Sequence, residues 1–408
     1  MEGKDVGMLI TKWRIALILA LGISIPAVAE ANETEKTEDF AERTYGFVAI
    51  DENTVLSSSL FHYNSGLTFE YPDAVRGIYV NGHSAGGEKF EKLVDLLDNT
   101  ELNAMVIDIK DDFGNITYMP EDDSPIKDMN IGKPYISKPQ EMLKIMEEKE
   151  IYPIGRIVVF KDSVLAEMRP DLSFKEDGEV WKNRGGEAFV NPFLGEVWDH
   201  NIDIAIEAAK MGFQEIQFDY VRFPEGFENR YDTLQFEYGD YAESNLDPVA
   251  RRVEAITDFV SYAREQLRPY NIDVSVDIFG YAATITEAPG IGQNFSRISE
   301  NVDVISSMIY PSHWTSYFGI AKPDLEPYQL VAEYAKMENE VLGALKNKPI
   351  SRPWLQDFTA SWLGPGNYIK YGKAEVEAQI KGLNDHGINE YLLWNAGNNY
   401  SPNVNYKP

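Results

Sequence analysis

The 408-residue chain contains no cysteine. That single absence excludes disulfides, zinc–thiolate sites, iron–sulfur clusters and a thiol nucleophile. Histidine is scarce too: only His62, His83, His200, His313 and His386 occur. A multi-histidine metal site is not expected, and neither a metal nor a cofactor is called for. Basic residues are in deficit, with 37 Lys and Arg against 66 Asp and Glu and a formal net charge of -29. Such a field repels polyanions, so nucleic acid is not an expected partner. No G-x-G-x-x-G turn and no G-x-x-x-x-G-K-[ST] loop occurs, which leaves nucleotide binding without support.

Near the N-terminus, residues 15–25 form an almost wholly apolar run of 11, where a membrane-spanning helix needs about 20. Lys12 and Arg14 precede it, and Pro26 and Ala27-Val28-Ala29 follow. A basic start, a short apolar middle and an A-x-A end predict a Sec-type signal peptide over residues 1–29. No cysteine follows to carry a lipid. The mature protein is expected to be secreted, extracellular or associated with the cell wall, without a stable membrane span. Residues 30–44 are acidic and aperiodic and read as a solvated linker. Residues 45–72 contain short apolar pieces and are expected to be an extension packing on the main domain, with a hairpin possible around residues 45–50.

From residue 73 to 408 the chain alternates. Short β-branched runs occur at 75–80, 103–109, 153–160, 214–220, 272–279, 303–310, 352–357 and 390–395. Between them the apolar residues recur at helical spacing, as in Phe90, Leu93, Val94 and Leu97. Strands alternating with helices argue for a parallel sheet. Eight such units suit a closed (β/α)8 TIM barrel of the α/β class, with long loops.

In such a barrel the active site sits at the C-terminal strand ends, and side chains alternate faces along each strand. If Ile216, Phe218 and Tyr220 face the helices, Gln217 and Asp219 face inward. The same parity turns Ser275 and Asp277 inward, and Asp108 with Lys110. Arg156 is expected to line the same cavity. Burying several unpaired carboxylates is costly, whereas an acid and a nucleophile or base are what glycoside hydrolysis requires. Asp219 is therefore the candidate nucleophile or base and Asp277 the candidate acid, with Arg156 and Arg222 orienting carboxylates. Four of the seven Trp lie beyond residue 313, near the later strand ends. Flat aromatic faces suit sugar rings, which makes Tyr79, Tyr310, His313, Trp314 and Trp394 candidate contacts for a carbohydrate. The acidic, aromatic loop from Phe223 to Pro248 is expected to form a cleft wall.

A competing motif stands at Gly82-His83-Ser84-Ala85-Gly86, which satisfies G-x-S-x-G between a strand and a helix. Taken alone it would support a serine esterase using Ser84, with His313 or His386 as partner. Its position at the first strand, with seven units still to come, suits a glycine-rich first loop better. A non-catalytic carbohydrate-binding barrel is the other alternative.

The segments FQEIQFDYVRFPEG (213–226), VRGIYVNGHSAGG (75–87), AMVIDIKDDFGNITY (104–118), NPFLGEVWDHNIDIAIEAAKMGF (191–213) and MIYPSHW (308–314) together resemble the bacterial putative glycosyl-hydrolase domain family over about residues 75–400. That resemblance implies a glycosidase-type TIM barrel; with the predicted export, the expected substrate is a polysaccharide of the cell wall or the extracellular space. A looser resemblance links the chain to the α-amylase-like superfamily. There an Asp nucleophile ends the fourth strand, a Glu acid the fifth, and a further Asp follows the seventh. Asp219 matches the first and Asp357 the third. The fifth-strand position holds Asp277 instead of Glu, and Arg222 follows Asp219 where the superfamily's Arg precedes.

Overall fold

The structure, a computed structural model, describes residues 63–407. The expected signal peptide, the acidic linker and residues 45–62 of the extension lie outside the described residues. Eight parallel strands form the barrel: β1 (Arg76–Val80), β2 (Ala104–Lys110), β3 (Tyr152–Val158), β4 (Glu215–Asp219), β5 (Asp273–Phe279), β6 (Val304–Met308), β7 (Trp354–Gln356) and β8 (Tyr391–Trp394). Each falls within or overlaps one of the eight segments read from the sequence. After the first seven strands come α1 (Lys89–Asp98), α2 (Pro139–Glu148), α3 (Gly195–Met211), α4 (Pro248–Leu267), α5 (Phe295–Ser299), α6 (Pro327–Gly343) and α7 (Lys373–Asn384). The α4 start shows how locally these helices are encoded. Asp247 caps it, its carboxylate accepting from the Val249 and Ala250 amides, and Pro248 fills the first position, where no amide donor is needed.

The sheet closes where β8 pairs in parallel with β1, Arg76 opposite Tyr391. Asn398 reinforces this seam, donating to the Tyr79 carbonyl while accepting from the Asn81 amide. The thinnest join is between β6 and β7, a single bridge from Trp354 to Met308, supplemented by Ile350–Ser351 alongside β6. Two apolar layers result. Outward residues such as Met105, Ile107, Ile216, Phe218, Val274 and Val276 join the large cluster under the helices. Inward Tyr79, Val106, Ile154, Tyr310 and Trp354 fill the barrel itself.

The N-terminal end of the barrel is plugged by charge. Arg352, fully buried, lies 2.8 Å from both oxygens of Glu215 and 2.8 Å from Glu390, and donates to the Tyr71 hydroxyl. Desolvating such a network costs free energy that only close pairing recovers. Tyr71, in the described part of the extension, thus seals the end opposite the C-terminal strand ends.

Candidate active site

At the C-terminal strand ends the side chains converge on Arg156 of β3, which is almost fully buried. Its Nε and Nη2 donate to one oxygen of Asp219 at 3.0 and 2.6 Å. Its Nη1 donates to Asp108 at 2.7 Å and, at 3.3 Å, to Asp112. One guanidinium thus bridges carboxylates from the ends of β2 and β4 and from the loop after β2. Only Arg offers donors in so fixed a fork. Asp108 also accepts from the Tyr79 hydroxyl at 2.6 Å. Burial pushes its carboxyl up to about 6 although Arg156 pulls the other way.

Asp112 is a member that strand parity could not reveal, because it lies beyond β2. A carboxylate-capped turn places it: Asp111 accepts from the amides of Phe113, Gly114 and Asn115. Gly114 has φ +103°, and a Cβ there would lie 2.0 Å from the Asp162 carboxylate, so the turn requires glycine. The other oxygen of Asp112 lies 2.7 Å from Lys161. Burial opposes its ionisation, yet Arg156 and Lys161 outweigh it and hold Asp112 down at about 2.

Asp277 of β5 differs from the others. It is 2% exposed and receives a hydrogen bond from Trp354 Nε1 at 2.7 Å. Among the described residues no cation pairs with it. Burial, and then the charge of Asp219, push its carboxyl well above the usual carboxylate range. Neighbouring carboxylates in unlike surroundings, one gripped by a cation and one whose ionisation is opposed by burial and a like charge, are the arrangement that separates a base or nucleophile from an acid.

The aromatic floor is built by Trp394, which stacks on Tyr79 at 4.1 Å and lies edge-on to Trp354 at 5.5 Å. Arg156 sits 5.4 Å from the Trp394 ring. Tyr310 closes the group, 6.5 Å from Trp394 and 5.3 Å from His313.

Several expected placements change. Lys110 does not reach the mouth, because the β2–β3 register shifts between Asp108 and Lys110. The extra residue sends Lys110 outward to Asp162 at 2.6 Å and to Asn201 of α3. Tyr220 does not face the helices: β4 ends at Asp219, and a left-handed φ of 52° swings the ring beneath Lys161, 4.0 Å away. Arg222 touches neither Asp219 nor Asp277. It pairs with Glu225 at 3.2 Å and lies between the rings of Tyr220 and Phe279. Trp314 packs with Tyr317 and Phe318 and against Tyr334 of α6, in the outer layer. Asp357 has both oxygens occupied by Ser401, at 2.8 Å from its amide and 2.6 Å from its hydroxyl, and anchors the chain after β8. In the loop after β4, Phe223, Phe227 and Phe236 pack with Phe174 and Phe193 as part of the large outer cluster. They do not line the cleft.

The Ser84 motif also resolves. Its segment is one short helical turn, Gly82–Ala85, capped by Asn81, and no histidine is hydrogen-bonded to Ser84 among the described residues. His313 instead contacts Ser312, and His386 contacts the Gly382 carbonyl. A cavity of about 610 Å³ lined by Tyr71, Arg264 and Asp273 opens at the plugged N-terminal end and contains none of the carboxylates around Arg156. Chemistry, and not volume, locates the site.

A (β/α)8 barrel with clustered strand-end aspartates over an aromatic floor has the architecture of the glycosidase-type barrels. The chain belongs to the family described as "Putative glycosyl hydrolase domain", which matches residues 77–400, and its enzyme class is glycoside hydrolase. No curated protein matches it by sequence. Among solved structures, a hypothetical protein from Ruminiclostridium thermocellum ATCC 27405 is 33% identical, covering 49% of this chain and 96% of its own, with a TM-score of 0.42. The PgaB (BpsB) glycoside hydrolase domain from Bordetella bronchiseptica is 15% identical, covers 79% of this chain and 94% of its own, and has a TM-score of 0.54. The β-galactosidase from Marinomonas ef1 is 12% identical at a TM-score of 0.50, with 78% of this chain but only 54% of that one covered. The likeness to the last two concerns the fold alone. Among the described residues no helix is long and apolar enough to cross a membrane.

Proposed function

We propose an exported glycoside hydrolase that cleaves a cell-wall or extracellular polysaccharide, with Asp277 as the general acid and Asp219 as the nucleophile or base. The observation that carries this reading is the unequal treatment of the two aspartates. Arg156 supplies the counter-charge to Asp219, while Asp277 has a Trp donor, no cation and a raised pKa. In this reading Asp277 protonates the departing glycosidic oxygen. Asp219 attacks the anomeric carbon or deprotonates a water that does so. Asp108 and Asp112 hold Arg156 in place from the far side, and Tyr79, Trp394 and Tyr310 carry the sugar at the point of cleavage. Export rests on the basic-apolar-AVA pattern of the first 29 residues.

The test is a screen of cell-wall and extracellular glycans with mass-spectrometric detection of the products. The wild-type enzyme and the Asp219→Asn and Asp277→Asn variants are run side by side. Products from the wild type alone support the assignment, whereas equal turnover by all three removes both aspartates from it.

A further inference from the structure

The aromatic floor does not stop at the carboxylates. From Tyr310 it continues to Phe358 at 5.8 Å, and from Phe358 to Trp362 at 5.9 Å with the two rings nearly parallel at 21°. His313 stands beside this outer part, 6.3 Å from Phe358 and 6.4 Å from Trp362. Together with the Tyr79–Trp394 stack, these rings make a continuous path from Arg156 to the rim of the barrel mouth.

Trp362 ends the path 64% exposed, on the helical turn Ser361–Leu363 in the loop after β7. Its indole N–H has no protein acceptor among the described residues. A tryptophan left this open is not held there by burial, since the hydrophobic effect rewards covering it. Phe358 beneath it is half-buried, so the pair presents one supported aromatic face to solvent. The geometry is that of a surface awaiting a flat, partly apolar ring. The neighbouring polar groups suit hydroxyls more than charges. His313 contacts Ser312 through Nδ1, which leaves Nε2 to a ligand. Partial burial of its ring lowers the pKa of His313 against the pull of Asp324 and Glu225, which favours its uncharged form.

Building on the glycosidase reading, we infer that Trp362, Phe358 and His313 form a distal sugar subsite and that the substrate is a non-anionic polysaccharide chain several units long. The bond broken lies at the Asp219–Asp277 end of the path, and units further along the chain stack on Phe358 and Trp362. A chain without anionic groups fits best, because a protein of net charge -29 repels a polyanion. A terminal monosaccharide alone would leave the outer half of the path empty.

The experiment uses cello-, xylo-, malto- and chito-oligosaccharide ladders from disaccharide to hexasaccharide, and follows both hydrolysis and binding by calorimetry. Wild type, Trp362→Ala, Trp362→Phe and an Ile145→Ala control on the exposed face of α2 are compared. Wild-type kcat/KM is expected to rise with chain length on the ladder it accepts. In Trp362→Ala that rise should flatten, with a loss of about tenfold on the hexasaccharide carried mainly by KM. Trp362→Phe should restore most of it, and Ile145→Ala should behave as wild type. An active enzyme whose length dependence survives Trp362→Ala overturns the subsite and leaves the glycosidase reading standing. Length-dependent binding that Trp362→Ala abolishes, without turnover by any variant, upholds the subsite and overturns the glycosidase reading. Neither binding nor turnover on any ladder overturns both.

Discussion

Arg156 holds Asp219 by a single oxygen, with Nε at 3.0 Å and Nη2 at 2.6 Å from Oδ2, while Oδ1 accepts only the Tyr220 amide. The guanidinium is therefore not a symmetric clamp. Its remaining nitrogen, Nη1, is committed to Asp108 and Asp112. That division ties the two oxygens of Asp219 to different partners. It also sets one buried cation against three carboxylates, of which Asp112 has Lys161 as a second partner.

Replacing Arg156 by Met is expected to destabilise the fold by about 3–5 kcal/mol, the usual cost of breaking a buried ion pair by removing one partner. The loss should be larger at pH 8 than at pH 5, because protonating the abandoned carboxylates relieves their repulsion. Urea unfolding at both pH values measures this. A loss independent of pH would show that lost packing, and not charge, dominates.

Asp219→Asn keeps the size of the side chain and removes its charge. Circular dichroism should remain that of the wild type, while turnover of a glycan substrate falls on the order of 10³-fold or more, since no other group replaces a nucleophile or base. Ser84→Ala should leave turnover within about tenfold, being a change in the first loop alone. The reverse pattern, an active Asn variant and a dead Ala variant, would restore the esterase reading.

Asp277→Asn should act differently. An acid is needed most when the leaving group is poor. The variant is expected to lose activity on the natural glycan yet retain much of it on an aryl glycoside whose phenol departs unaided. The alkaline limb of the kcat/KM profile, where the wild-type acid loses its proton, should disappear. Equal losses on both substrates would argue that Asp277 is not the proton donor.

Glu338 tests the pH logic away from the site. It lies on α6, fully buried, accepting from Ser307 of β6 and from Ser351, with Tyr334 and Lys348 as its other polar neighbours. Burial raises its carboxyl from 4.5 to about 7. A raised carboxylate pKa means that the folded state holds its proton more tightly than the unfolded chain does. Stability is then greatest below the unfolded pKa and declines as the pH rises through about 7. Glu338→Gln should remove that decline and raise the melting temperature at pH 8 more than at pH 5. Thermal scans of both proteins at the two pH values suffice, and an unchanged slope would rule out Glu338 as its source.

Export is checked at the N-terminus itself. Protein recovered from the exported fraction should begin near Glu30. Mass-spectrometric detection of residues 1–29 still attached to it would reject the signal peptide.

The barrel was legible in the sequence because its causes are local. Eight β-branched runs, separated by helical stripes such as Phe90, Leu93, Val94 and Leu97, specify eight strands and the helices between them one at a time. Parity along β3, β4 and β5 was enough to aim Arg156, Asp219 and Asp277 inward, since a regular strand alternates faces without exception. That rule fails where the strand does. The shift after Asp108 turned Lys110 outward, and the left-handed Tyr220 left the helix layer. A one-residue irregularity reverses every side chain beyond it. Asp112, Lys161 and Trp362 sit on loops, where no periodicity reports direction. Only the closed barrel brings them beside strand ends distant in sequence. Asp357 and Trp314 have residue types that fit the chemistry, yet Ser401 and Tyr334 occupy them. Residue type and spacing determined which groups could serve as acid, base or sugar platform. The tertiary structure decided which of them are already bound to the protein and which are left for a ligand, because that depends on neighbours from other strands and loops.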